Sequence, residues 1–332
     1  MILDTTVSRM LGIQHAILQA PMGGVAGARL CEAVSRAGGF GMIGGGYGDK
    51  EWVTRELDLL AKFESPKSWG IGFISWSLKH RVLDLTLSRR PTAIMLSFGD
   101  SAKWIPKIKK KGVLAIVQVQ SVADARMAHS AGADIIVAQG TEAGGHGGKR
   151  TTFTLVPAVA DAVAPVPVVA AGGVCDARAV LAARFLGAQG VLIGTRYYAS
   201  MEALAHPKLK RALTLARGDD TVRTRVFDTA RGLKWPAEYT GRALHNSVIE
   251  RWENHQNELV LAQSDVTKAL AKGQSGGDPD STYLWVGEGV DLVDCVLPAA
   301  QITSELATKC RAIARAFSHE VHGEPLRLSM SQ

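Results

Sequence analysis

Apolar residues along this chain fall into short blocks, and each block is followed by a stretch with helical spacing. The blocks occupy residues 17–20, 41–43, 70–74, 93–97, 113–118, 134–138, 168–171 and 190–193. Each is apolar at consecutive positions, so both faces must be covered, as in a parallel sheet flanked by helices. The intervening stretches 28–37, 51–63, 79–89, 102–111, 122–131, 155–163 and 177–186 repeat apolar residues at helical spacing. Four of them run into glycine, at Gly38, Gly112, Gly132 and Gly187, the residue that best closes a helix. Eight alternating units of this kind predict an α/β fold, a (β/α)8 TIM barrel. Past residue 203 the rhythm ends. Residues 202–216, 246–271 and 298–321 read as helices, and 221–229 as a candidate extended segment. The chain thus divides into a barrel over 1–203 and a mostly helical C-terminal extension over 204–332, expected to cover the barrel mouth.

The segment Gly39-Phe40-Gly41-Met42-Ile43-Gly44 matches the spelling of a dinucleotide-binding fingerprint. Its context is reversed, because a helix precedes the glycines and a strand runs through them, whereas phosphate binding needs a strand before and a helix after. We read it as a helix cap plus a loop leaving the second strand.

The length of 332 residues suits one large barrel with an appendage, and 46% hydrophobic residues assure a core. Cys31, Cys175, Cys295 and Cys310 are widely spaced, which suggests neither a zinc site nor a disulfide framework and fits a reducing cytoplasm. No secretory leader and no apolar run of about 18 residues is visible, so a soluble, cytoplasmic protein with no membrane partner is expected. The net charge of +7 raises the question of nucleic acid. The basic residues are dispersed, and the run Lys107, Lys109, Lys110, Lys111 is interrupted by Ile108, which reads as a solvated helix face. An anionic small ligand would also be drawn by the positive field. Glycine is the outlier, at 35 residues against an average of about 7%.

Barrel enzymes build their sites at the C-terminal ends of the strands, and the glycines collect there. Ala171-Gly172-Gly173 and Ile193-Gly194-Thr195 follow the seventh and eighth strands, where this fold grips phosphate with backbone N–H groups. In 139–148, His146 is flanked by four glycines that offer it nothing to pack against. Such a histidine is presented to a cavity and is a candidate acid or base. No second ligand at metal spacing accompanies it, and His319 with His322 reads as a surface helix face. Gln118 ends an apolar strand and can offer its amide to a heterocycle. Trp235, Tyr283 and Trp285 are candidate roofing residues or ordinary packing.

The segments QAPMGG (19–24), AVSRAGGFGMIGGG (33–46), AQGTEAGGHGG (138–148), AAGGV (170–174), IGTRY (193–197) and VGEGVDLV (286–293), in this order, resemble the nitronate monooxygenase family, formerly called 2-nitropropane dioxygenases. The resemblance implies non-covalently bound FMN in a TIM barrel. It implies that Pro21, Met22 and Gly23 line the flavin ring, that Gln118 and Gln139 bond its polar edge, and that Gly144 approaches it. Gly172, Gly173, Gly194 and Thr195 would hold the phosphate, and His146 falls on the family's catalytic histidine. The implied reaction is oxidation of a nitronate, or of a nitroalkane after His146 takes its α-proton, with dioxygen, to a carbonyl compound and nitrite. Three departures bear on the substrate. Gly72 stands where the family often has asparagine, Gly147-Gly148-Lys149 follows the histidine, and Gly287-Glu288-Gly289 replaces the usual GQG. The stretch 144–157 is also similar to flavin-dependent enoyl-acyl-carrier-protein reductases. An NAD(P)H-dependent reductase of that or a quinone reductase type, and a non-catalytic flavin-binding module, are therefore the alternatives.

Overall fold

The computed structural model describes residues 2–63 and 68–321. Its strands are β1 (Ile17–Gln19), β2 (Met42–Gly46), β3 (Gly70–Ile74), β4 (Ala93–Ser97), β5 (Leu114–Val119), β6 (Ile135–Gln139), β7 (Gly145–Gly147), β8 (Val168–Ala171), β9 (Gly190–Ile193), β10 (Thr221–Thr224) and β11 (Thr240–Leu244). Eight of them form one parallel sheet in the order β1-β9-β8-β6-β5-β4-β3-β2. The two outer strands meet through a parallel bridge between Leu18 and Phe40, with Gln19 N–H donating to Phe40 and Phe40 N–H to Ile17, both at 2.9 Å. The sheet is therefore a closed barrel, as the eight blocks predicted. Closure leaves no sheet edge exposed, and the apolar blocks are buried on both faces.

The helix Thr6–Leu11, which the apolar pattern did not reveal, plugs the N-terminal end of the barrel. Val7 and Leu11 pack among Leu18, Met42, Met95, Ile116, Val137 and Leu192 inside the barrel. Thr5 caps this helix through Ser8 and donates its hydroxyl to the Gln189 carbonyl at 2.6 Å, just before β9. Outside the sheet, Ala28–Arg36, Lys50–Leu60, His80–Ser88, Ile105–Lys109, Val122–Ser130, Thr152–Val163 and Ala177–Phe185 stand close to the predicted helical stretches. In Ile105–Lys109 the isoleucines are buried, while Lys107 pairs with Asp84 at 2.6 Å and Lys109 with Asp134 at 2.7 Å, so the lysine run is a solvated face.

The dinucleotide-like glycines serve packing. A Cβ on Gly41 would collide with the Cys31 carbonyl of the flanking helix, and one on Gly44 with the Met22 carbonyl.

The C-terminal region differs from its expectation in two ways. The extended segment expected over 221–229 is β10 at its start, but the region also contributes β11, which pairs antiparallel with β10 on one side and on the other with β7, the strand that carries His146. Alternation over 240–244 is too short to announce a strand before its partner is known. The expected helix over 246–271 is three pieces, Ser247–Trp252, Gln256–Leu261 and Gln263–Gly276, and that over 202–216 shortens to Pro207–Leu213, where Pro207 suits a first-turn position. Trp235 and Trp285 of this region line the cavity at the strand ends, whereas Ala299–Val321 packs against Ala177–Phe185 and Ala28–Arg36. The His319 side chain and all of His322 lie outside the described residues.

Candidate active site

A cavity of about 450 Å³ opens at the C-terminal ends of the barrel strands. Pro21, Met22 and Gly23 line it after β1, Gln118 in β5 and Gln139 in β6, and Gly144 and His146 in the loop beyond. Gly172 and Gly173 line it after β8, and Gly194 and Thr195 after β9. The residues expected to bind the flavin or act on the substrate thus line one hollow, together with Trp235, Tyr283 and Trp285 from the C-terminal region.

On one side the wall is backbone. Gly172 and Gly173 have φ of 104° and 70°, conformations that turn successive N–H groups inward and that glycine adopts freely. Among the described residues, the N–H groups of Gly173, Val174, Gly194 and Thr195 have no acceptor. Thr195 accepts from Gly287 N–H at 3.0 Å and keeps its hydroxyl proton for a ligand. Asp176 caps the following helix through Ala179 N–H at 3.1 Å, so the uncommitted donors here are the loop amides rather than that helix terminus. Gly145 lines the cavity, and a Cβ on it would meet no protein atom within 4 Å, so the space beside it is open. Uncommitted backbone donors, glycine-lined space and the free carbonyl of Gln118 fit a flat phosphorylated cofactor. Gly72 fits the same wall, because a Cβ there would collide with the Pro21 ring.

Gln139 is more committed than expected. Its carbonyl oxygen accepts from Gln118 at 3.1 Å and Gln120 at 2.8 Å, and its amide donates to the His146 carbonyl at 3.0 Å. The side chain therefore fixes the backbone of the histidine and retains one N–H for a ligand.

The other side is aromatic and ionic. The His146 ring stacks on Trp235 with centroids 3.5 Å apart and planes at 4°. Its Nε2 lies 2.8 Å from Oδ2 of Asp228, a carboxylate only 2% exposed. Trp235 donates from Nε1 to the Tyr47 hydroxyl at 2.9 Å, tying the cover to the loop after β2. Burial pushes the Tyr47 hydroxyl up, so it stays protonated. Phe98, just after β4, holds φ of 59° and packs 4.9 Å from Trp235. A left-handed aromatic residue is strained, and here it fills the roof. Arg231 lines the cavity with its guanidinium 4.7 Å over the Tyr283 ring, and among the described residues it has no carboxylate partner.

The histidine strand is held from behind by two arginines. Arg242 reaches the Thr141 carbonyl at 3.0 Å, Thr221 Oγ1 at 3.1 Å and Glu288 at 2.7 Å. Arg223 donates to Thr141 Oγ1 at 3.1 Å and the Thr240 carbonyl at 2.9 Å. Burial, then the neighbouring Arg242, pushes the Arg223 guanidinium down to about 10. Gly144 and Gly287 lie back to back, since a Cβ on Gly144 would come within 2.6 Å of the Val286 carbonyl carbon.

Asp228, Tyr47 and Arg231 were not among the predicted site residues. They sit 82 residues beyond His146, directly after a glycine run, and at the C-terminal cap of a five-residue helix, and no local motif marks them. Among the described residues, no group of three His, Cys, Asp or Glu is arranged to hold a metal. No helix of the described residues is long and apolar enough to cross a membrane.

The chain matches the family model described as nitronate monooxygenase over residues 4–65 and 63–309. It is 28% identical to a probable nitronate monooxygenase of Staphylococcus aureus strain MSSA476, with 92% of this chain and 97% of that one aligned. Among solved structures it is similar to FabK from Thermotoga maritima, with TM-score 0.85, 30% identity and coverage of 96% and 99%. It also shares its fold with nitroalkane oxidase from Streptomyces ansochromogenes, with TM-score 0.80, 23% identity and coverage of 93% and 99%. These matches run the length of the barrel and its cover, and the chain belongs to the nitronate monooxygenase family of flavin-dependent oxidoreductases.

Proposed function

We propose that the chain oxidises alkyl nitronates, and nitroalkanes after removal of their α-proton, with FMN held in the barrel mouth and dioxygen as terminal oxidant. The observation that carries this reading is His146, set in the cavity wall with Nε2 on Asp228 and no protein partner at Nδ1 among the described residues. Gly173, Gly194 and Thr195 would hold the FMN phosphate through their uncommitted N–H groups, and Gln118 and Met22 would face its ring system. When bound, the flavin supplies the electron acceptor for the substrate; the protein positions and polarises.

His146 takes the α-proton from the neutral nitroalkane, and the negative charge that develops on the nitro oxygens needs nearby donors. Arg231 and the Tyr47 hydroxyl are the groups available on that side. Trp235, Phe98 and Trp285 shut water from the reacting carbon, which strengthens each of these interactions. The products are a carbonyl compound and nitrite.

The similarity to FabK favours a second reading, reduction of an enoyl thioester by a reduced nicotinamide in the same cavity. Anaerobic mixing of the flavin-loaded protein with propyl-2-nitronate, and separately with NADH and NADPH, distinguishes the two. Rapid bleaching of the flavin by the nitronate is expected. Bleaching by a nicotinamide without bleaching by the nitronate would overturn the first reading in favour of the second.

A further inference from the structure

His146 and Asp228 come from segments 82 residues apart, and the sheet β10-β11-β7 brings them together. Asp228 is 2% exposed, and its Oδ2 meets His146 Nε2 at 2.8 Å. Its other oxygen, Oδ1, is buried with no hydrogen-bond partner. The arginines on either side of its short helix are turned elsewhere, Arg225 to the Trp235 carbonyl at 3.2 Å and Arg231 over Tyr283. Among the described residues, no arginine or lysine forms an ion pair with this carboxylate, and His146 is its one ionisable partner.

We propose that Asp228 is a positioning residue that holds His146 as the Nε2–H tautomer, making Nδ1 the atom that accepts the α-proton. This rests on the reading of His146 as the base. An ionised carboxylate only accepts, so the nitrogen facing it carries the hydrogen and the lone pair is left on the other nitrogen. The ring cannot turn away easily. Trp235 lies flat against it at 3.5 Å, the residue's backbone pairs with Gly241, and its carbonyl is held by Gln139.

The unpartnered Oδ1 adds an energetic argument. A buried anion with one hydrogen bond is poorly compensated, and a positive charge appearing beside it relieves that deficit. In the proposed step the α C–H bond breaks, its proton goes to Nδ1, and the electron pair moves into the nitro group to give the nitronate. Taking the proton makes His146 an imidazolium, so the contact with Asp228 strengthens along the reaction coordinate, which lowers the barrier rather than tightening ground-state binding.

Two measurements test this. In the wild-type protein labelled with 15N histidine, with His146 signals assigned by their loss in His146→Asn, Nε2 is expected to be protonated and Nδ1 bare. The reverse tautomer would overturn the proposal, and this result needs no folded Asp228 variant and no turnover. In Asp228→Asn, kcat with a neutral nitroalkane is expected to fall about a hundredfold more than kcat with the pre-formed nitronate. The KM values should change by less than about threefold. Equal losses on the two substrates would show a merely structural aspartate and overturn the positioning role. If the wild-type protein turned over neither substrate, the proposed function would fail, and the tautomer measurement would still decide whether Asp228 orients His146.

Discussion

Replacing His146 by asparagine removes the ring nitrogens at the cavity wall while leaving a side chain able to hydrogen-bond. His146→Asn is expected to lower turnover of a neutral nitroalkane by about 10²–10⁴-fold. Flavin absorbance should stay with the protein through gel filtration. Survival of nitroalkane turnover would show that the histidine is not the base. The cysteines make a contrasting case at the same scale. Burial pushes the thiols of Cys175 and Cys310 up to about 12 and raises Cys31 too; the hydrogen bond to Asp294 also raises Cys295, which is set apart only by being the one partly exposed thiol of the four. Thiolates are the reactive species. Titration with a disulfide reagent at neutral pH should therefore modify Cys295 alone in the native protein and all four cysteines in urea. His146 could be found in the sequence because its glycine neighbours give it nothing local to pack against; the ring it does stack on, Trp235, comes from a distant segment. Asp228 could not, because an aspartate in a five-residue helix looks like any surface acid until its burial is known.

Among elements, the three-stranded sheet decides how the barrel and its cover cooperate. β7 lies in the loop after β6, yet its partner β11 is nearly a hundred residues further on, with Gly241 opposite His146. Arg242, on β11 and 8% exposed, joins that loop to β10 and to the 286–293 segment. Arg242→Gln would leave the Thr141 carbonyl and Glu288 without their donor. A loss of about 1–3 kcal/mol in unfolding free energy is expected, the exposed Glu288 end contributing least. Urea unfolding followed by flavin release would measure it, and an unchanged midpoint would mean that the arginine does not hold the two parts together. The barrel strands were legible because burial on both faces leaves an unbroken apolar signature. β7, with sequence Gly-His-Gly, has no such signature and is a strand only because β11 lies beside it.

For the whole molecule, the helix Thr6–Leu11 closes the end of the barrel remote from the cavity. Leu11 is 1% exposed within the barrel interior, so Leu11→Ala should lower stability by about 2–5 kcal/mol. The flavin spectrum and kcat should be unaltered, since the plug and the mouth lie at opposite ends. A changed spectrum would mean that the two ends are coupled. The final helix has a related role, because Ala299–Val321 packs on the barrel wall after the chain has crossed the mouth, which binds the cover at both of its ends. From the sequence alone came the eight βα units, the flavin-type glycine loops and the presented histidine, each written in residues close together along the chain. Tertiary structure alone decided the partners of that histidine. Asp228 and Trp235 meet its ring, and Tyr47 holds Trp235 from the loop after β2; their roles depend on burial and approach, quantities that a linear pattern of apolar and polar residues does not contain.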